Sequence, residues 1–324
     1  MNDVMIVLIK SLIMVLILFG AAAYMTFTER VLMARMQLRL GPNRVGFFGL
    51  LQPIADGIKL LTKERFQPDH IERFAYWLAP GISLFIAFFL FVLIPVGGTV
   101  HIWGKEITLY IADVNVGILL LLAFSSLAVY GVVLAGWSSN NRYSMLGGLR
   151  GTAQMISYEV PMGLSLLTVI LSAGTLSLPE IVEAQRDHWF IWSNPISFIV
   201  YMITAFAETN RAPFDLPEAE HELTGGYHTE YGGMKFAVFF MAEYINIIAV
   251  SSIAITLFLG GWLGPTDTPV VWFLLKLAFF LFFFIWVRAT LPRFRYDQLM
   301  TFGWKVLIPI ATLNLIMTAY FILV

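Results

Sequence analysis

The chain has 324 residues, 59% of them hydrophobic and only 13% charged, with a net charge of −1 and a mean hydropathy of +0.79. These values describe a polytopic membrane protein rather than a soluble domain, and the near-neutral balance offers nothing to nucleic acid. There is no cysteine, which removes disulfides and every thiolate-ligated iron–sulfur or zinc site; the five histidines (His70, His101, His188, His221 and His228) lie outside the apolar runs, which removes paired ligands for an intramembrane haem.

A helix needs about 20 apolar residues to cross a bilayer. The first candidate, residues 4–27, ends its apolar run near Ala21-Ala22-Ala23 and so imitates a signal peptide with its cleavage site. The first residues carry no positive charge except Lys10, and the apolar character continues to Phe27, so a retained first helix is expected. Beyond it, "LGPN" (40–43) signals a turn. In "GLLQPIADGIKLLTKE" (49–64), Leu50, Leu51, Ile54, Ile58 and Leu61 recur at helical spacing, away from Gln52, Asp56, Lys59 and Lys63. That pattern predicts an amphipathic helix lying in the membrane interface; the plainer reading is a loop helix packed on a partner. Further spans are predicted at 77–96, 116–137, 152–171, 196–207, 236–259, 272–291 and 306–323, the 196–207 span being short and starting as early as Trp192.

The expected architecture is an all-α polytopic membrane protein, one integral membrane domain over 1–324, with eight transmembrane helices and the interfacial helix. Eight crossings put both termini on one side. Residues 28–76 hold eight Lys and Arg, 138–152 two, 207–235 two and 288–305 four, leaving only Lys10, Lys105, Arg186 and Lys276 of the 20 elsewhere. The positive-inside rule therefore predicts cytoplasmic loops at about 28–76, 138–152, 207–235 and 292–304, with both termini outside.

Three acids fall within or at the edge of spans: Glu159, Glu208 and Glu243. A carboxylate in the bilayer costs about 2.5–3.5 kcal/mol on insertion scales and needs a partner, a proton or water. A low dielectric favours the neutral acid, which suits proton exchange; the bland alternative is a packing pair with Lys276 or an arginine. Pro161 follows Glu159 closely and cannot donate to the helix ladder. Residues 207–235 are dense in acids: Asp215, Glu218, Glu220, Glu222 and Glu230 beside Arg211. Pro213 and Pro217 oppose helix there, Gly225-Gly226 and Gly232-Gly233 permit tight turns, and an extended 218–222 would put its three glutamates on one side. Irregular backbone at membrane depth is tolerated where it lines a water cavity or is covered by protein, so the segment reads as a negative funnel or, more plainly, a solvated acidic face. "RATLPRFRYDQLMTFGWK" (288–305) interleaves arginine with aromatics; Arg288, Arg293, Arg295 and Asp297 are candidates for ion pairing or docking. These residues leave three readings: a subunit coupling a partner's redox chemistry to proton movement, an ion or proton antiporter, and a membrane anchor. The order concentrated on one side favours the first, and no paired broken helices mark an antiporter.

The stretches "TERVLMARMQLRLGPNRVGFFGLLQPIADGIKLLTKE" (28–64), "RGTAQMISYEVP" (150–161), "AETNRAPFDLPEAEHELTGGYHTEYGGMKFAVFFMAEY" (207–244) and "PRFRYDQLMTFGWK" (292–305) closely resemble the H-subunit family of bacterial NADH:quinone oxidoreductase, respiratory complex I, whose mitochondrial counterpart is NADH dehydrogenase subunit 1. The resemblance runs over nearly the whole chain. Val31 departs from the basic residue that often follows Glu-Arg, and His221 stands at a variable position. What the resemblance implies is a multi-pass subunit of the bacterial inner (plasma) membrane, not catalytic alone and binding no cofactor or metal of its own. It would join peripheral-arm subunits, which carry FMN and the iron–sulfur clusters, to neighbouring membrane-arm subunits in the lipid bilayer. Its second to sixth helices would resemble an antiporter-like half-unit. By resemblance, Glu29, Arg30 and Arg39 line or support a quinone entrance. Arg211, Asp215, Glu218, Glu220, Glu222 and Glu230 form the acidic loop of the quinone chamber. Glu159, Glu208 and Glu243 are the first proton-coupling links, and Arg288, Arg293, Arg295 and Asp297 are their partners or docking residues. Membrane subunits of energy-converting hydrogenases share the fold; "GPN" and "ETNRAPFDLPEAE" favour the quinone enzyme.

Overall fold

The computed structural model describes residues 3–64, 67–102, 105–217, 225–266 and 268–323. Among them, seven helices are long and apolar enough to cross a membrane. In chain order the helices are α1 (Asp3–Met36), α2 (Gln52–Thr62), α3 (Arg73–Leu93), α4 (Gly117–Ser138), α5 (Arg142–Ala173), α6 (Leu178–Ala184), α7 (Phe190–Ser193), α8 (Pro195–Glu208), α9 (Met234–Phe258), α10 (Pro269–Thr290), α11 (Tyr296–Phe302) and α12 (Ile308–Leu323). A π-helical turn, Gly303–Leu307, joins α11 to α12, so the two form the last long apolar rod. The shorter apolar α8 is the expected fifth span, and α7 precedes it at the Trp192 start anticipated from sequence. The chain is a multi-pass membrane protein.

One element departs from an all-helical reading. A hairpin of β1 (Thr99–Ile102) and β2 (Lys105–Thr108) pairs Thr99 with Thr108 and Ile102 with Lys105 in antiparallel register. Helix ends also differ from the expected spans. α1 runs on through Glu29 and Arg30 to Met36, and α5 begins at Arg142, so most of the predicted 138–152 loop is helix. The cause is local: Asn141 caps α5, its side chain accepting from the Tyr143 N–H at 3.0 Å. α5 continues through Pro161 and stops at Gly174, whose φ of 69° is a left-handed C-terminal cap.

α9 is buried along most of its length, packed chiefly against α3, α1 and α10 and also against α8 and α5, while α1, α10 and α12 present long apolar faces outward. α4 and α5 meet closely: a Cβ on Gly136 would lie 2.8 Å from the Ser144 carbonyl, so only glycine allows this approach. The apolar residues of α2 (Ile54, Ile58 and Leu61) and the preceding Leu50 and Leu51 are exposed, so this helix does not spend its apolar stripe on the chain's own core. The four charge-rich segments gather at one end of the bundle. Glu72 N–H donates to the Ser138 carbonyl at 2.9 Å, and the Asn140 amide to the His70 carbonyl at 3.1 Å. At the opposite end Lys276 Nζ donates to the carbonyls of Leu259 (2.6 Å), Gly261 (2.9 Å) and Leu263 (2.7 Å), over the Trp189 ring. The intramembrane acids therefore do not pair with Lys276.

Candidate functional site

The helical extension of α1 carries Glu29 against α9 and α10. Its Oε1 meets Arg288 from α10 in a short ion pair and lies 3.6 Å from Arg211 NH1; its Oε2 accepts from the Tyr244 hydroxyl of α9 at 2.9 Å. Arg211, just past α8, also forms a short pair with Glu243 of α9, and its guanidinium lies 4.5 Å from the Tyr244 ring centre. Glu29 and Arg211 are only 5% and 6% exposed. Two carboxylates and two guanidinium groups from four parts of the chain are thus held together where water is scarce. Removing one member of such a pair costs about 3–5 kcal/mol, because its partner stays charged and buried.

A second pair fixes the loop that follows α8. Arg293 NH2 lies 2.5 Å from Asp215 Oδ2, and the Phe294 N–H donates to the Pro213 carbonyl at 3.2 Å. The Gln154 amide of α5 donates to the carbonyls of Ala207 (2.8 Å) and Phe214 (2.7 Å), satisfying backbone that the break after α8 leaves without ladder partners. Further along, Glu230 accepts from the Asn141 side chain at 2.6 Å, and its backbone carbonyl accepts from the Tyr76 hydroxyl at 2.7 Å. Tyr231 stacks on Tyr76 with ring centres 4.1 Å apart. Burial holds its phenol above the usual range, so it remains a neutral hydrogen-bonding group.

The other candidates sit elsewhere. Arg30 pairs with Asp56 at 2.6 Å, tying α1 to α2. Arg39 is exposed and donates to Gln37 at 2.7 Å. Arg295 and Asp297 lie 3.3 Å apart, both exposed, and meet each other rather than the buried acids. Glu218, Glu220 and Glu222 lie outside the described residues. Glu208, 5% exposed, closes α8 and borders a cavity of about 50 Å³ together with Glu243, Thr209 and Asn210. Glu159 on α5, half-buried, is near enough to act electrostatically on Glu208. Acids on three helices, Glu208 buried and Glu159 and Glu243 partly so, therefore lie near one another, Glu243 being also a member of the ion cluster. Among the described residues, no group of three His, Asp or Glu side chains could hold a metal ion.

Sequence reasoning passed over Tyr244 and Gln154. The available signal was weak: each is a polar side chain in an apolar span near an acid already singled out, Tyr244 beside Glu243 and Gln154 one helical turn and more before Glu159.

A family model described as NADH dehydrogenase matches residues 9–319. The H subunit of NADH-quinone oxidoreductase from Protochlamydia amoebophila is 77% identical over 306 residues, covering 94% of each chain. An H subunit of the same enzyme from Geobacter sulfurreducens, numbered 2, is 54% identical over 311 residues, 96% of this chain and 94% of the relative. The H subunit from Thermomicrobium roseum is 54% identical over 312 residues, 93% and 92% of the two chains.

Proposed function

From the premise that this chain belongs to the NADH dehydrogenase family, as a membrane subunit of NADH-quinone oxidoreductase that is not catalytic alone, we propose that it helps form the quinone chamber and couples quinone reduction to proton translocation. The observation that carries the proposal is the cluster of Glu29, Arg211, Glu243 and Arg288, of which only Arg288 is substantially open to solvent. It links the end of α1, beside the outward-facing apolar stripe of α2, to the acids that border the interior cavity. A quinone arriving from the bilayer would meet α2 and the end of α1 first. A charge change on its head group would act on the acidic loop, then on Glu243, Glu208 and Glu159. Coulomb coupling between charges about 4 Å apart is about 4 kcal/mol at an effective dielectric of 20, enough to move a proton between neighbouring groups.

In this reading the chain is a multi-pass protein of the bacterial inner membrane. Its charge-rich end faces the cytoplasm, its termini lie outside, and its partners are the peripheral-arm quinone-site and cluster-bearing subunits together with neighbouring membrane-arm subunits. FMN and the iron–sulfur clusters, in those partners, supply the electrons. A photoreactive quinone analogue tests the chamber. In the assembled complex it should label peptides within 28–62 and 209–230 of this chain, and excess quinone should compete. Labelling confined to other subunits, or indifferent to competitor, would overturn the chamber assignment.

A further inference from the structure

Buried tyrosine hydroxyls in the bundle meet different kinds of partner. Those of Tyr76, Tyr158 and Tyr201 donate to backbone carbonyls, of Glu230 (2.7 Å), Leu299 (2.9 Å) and Val250 (2.9 Å), and so tie one element to another. The hydroxyl of Tyr244 instead donates to a carboxylate, Glu29 Oε2, at 2.9 Å. The same side chain meets a cation, for its ring centre lies 4.5 Å from the Arg211 guanidinium. Tyr244 is buried, so both contacts act with little screening by water. Its ring is itself held in place. Phe236, Phe240 and Tyr244 recur every four residues on α9 and form a row with ring centres 4.5 and 6.4 Å apart. The row begins against His228 of the acidic segment, at 5.3 Å.

We infer that Tyr244 is a positioning residue for the ion cluster, steering Glu29 through its hydroxyl and Arg211 through its ring. A carboxylate between two arginines has more than one way to pair. Glu29 directs Oε1 to both Arg288 and Arg211, while the phenol engages Oε2. Without that donor, Oε2 is free to turn to Arg288, in the two-bond geometry that arginine and carboxylate favour. Glu29 then moves off Arg211, and its link through Arg211 to Glu243 weakens. The hydroxyl thus keeps Arg211 shared between a carboxylate on α1 and one on α9, and the ring limits how far the guanidinium follows either.

The inference rests on the coupling role given above to this cluster, and the experiment separates the two. Tyr244→Phe removes the hydroxyl and keeps the ring; Tyr244→Leu removes both. In membrane vesicles, with rates taken per assembled complex, Tyr244→Phe should lower maximal NADH:quinone turnover about tenfold, the size of a lost hydrogen bond to a charged group. Proton translocation should fall in proportion, and the quinone KM should stay within about twofold, because the hydroxyl orients the cluster rather than the quinone. Tyr244→Leu should be slower still, by about a further fivefold, as the Arg211 contact goes too. In a Glu29→Gln background Tyr244→Phe should add little, since the charge it steers is gone. Wild-type turnover per complex in Tyr244→Phe, a raised KM at an unchanged maximal rate, or losses that multiply with Glu29→Gln would each overturn the positioning role, while a slow Glu29→Gln would leave the coupling role standing. Equal rates for Tyr244→Phe and Tyr244→Leu would overturn the share given to the ring. Failure of Tyr244→Phe to assemble would make the hydroxyl a structural tie and overturn the inference. Wild-type turnover and pumping in Glu29→Gln would overturn the coupling role itself.

Discussion

Replacing Arg211 with methionine keeps much of the side chain's length and apolar contact but removes the guanidinium shared by two buried carboxylates. Arg211 NH1 lies 3.6 Å from Glu29 Oε1; at an effective dielectric of about 20 a unit pair at that distance is worth about 4–5 kcal/mol. Glu29 keeps Arg288 and the Tyr244 hydroxyl, so its loss is partial. Glu243 loses a direct ion-pair partner, and breaking such a buried pair costs about 3–5 kcal/mol. Arg211→Met should therefore sharply reduce the assembled complex in membranes and lower its thermal midpoint in detergent. The cost arises from the stranded charge more than from the lost attraction, so Arg211→Met with Glu243→Gln should recover at least half of the assembled complex. Native gels and thermal unfolding of the purified complex read both. Wild-type assembly of Arg211→Met, or a double variant no better than the single, would refute the reasoning.

A Cβ on Gly147 would sit 2.8 Å from the Gly226 backbone; Gly147→Ala should loosen the 225–233 segment by about 1–3 kcal/mol, read as faster proteolysis there. Lys276→Met should leave the Leu259, Gly261 and Leu263 carbonyls without their shared donor and lower the thermal midpoint of the complex, with Lys276→Arg restoring little, because a planar fork does not match three converging carbonyls. Because the chain has no native cysteine, Tyr143→Cys and Leu323→Cys report orientation: an impermeant thiol reagent should label the second from outside intact cells and the first only after lysis.

The spans were legible because bilayer thickness fixes their length. Their ends were not. Charges at Glu29-Arg30 and at Arg142–Arg150 read as loop, yet "VLMARM" after Glu29-Arg30 is made mostly of strong helix formers, and nothing breaks the helix once it leaves the apolar layer. The hairpin at 99–108 had a signal too: "TVHIWGKEIT" is rich in β-branched residues around Trp103-Gly104. In the site, individual acids and arginines stood out because each is costly among apolar residues. Their pairing did not: Glu29 and Arg288 are 259 positions apart, and no spacing rule joins them. Gln154 and Tyr244 were hidden by their ordinary chemistry, since only the tertiary fold shows the carbonyls and carboxylate they serve.

The most direct test follows electrons and protons together in membrane vesicles carrying Glu208→Gln. This glutamate is buried beside the interior cavity and distant in the chain from the ends of α1 and α2, so its neutralisation should leave complex content intact. NADH oxidation by an artificial acceptor, which bypasses this chain, should proceed at the wild-type rate. Quinone-dependent oxidation and proton translocation should fall together, by about 10²-fold if the carboxyl acts as a proton-transfer group. Wild-type quinone turnover with wild-type pumping in the same vesicles would contradict the account.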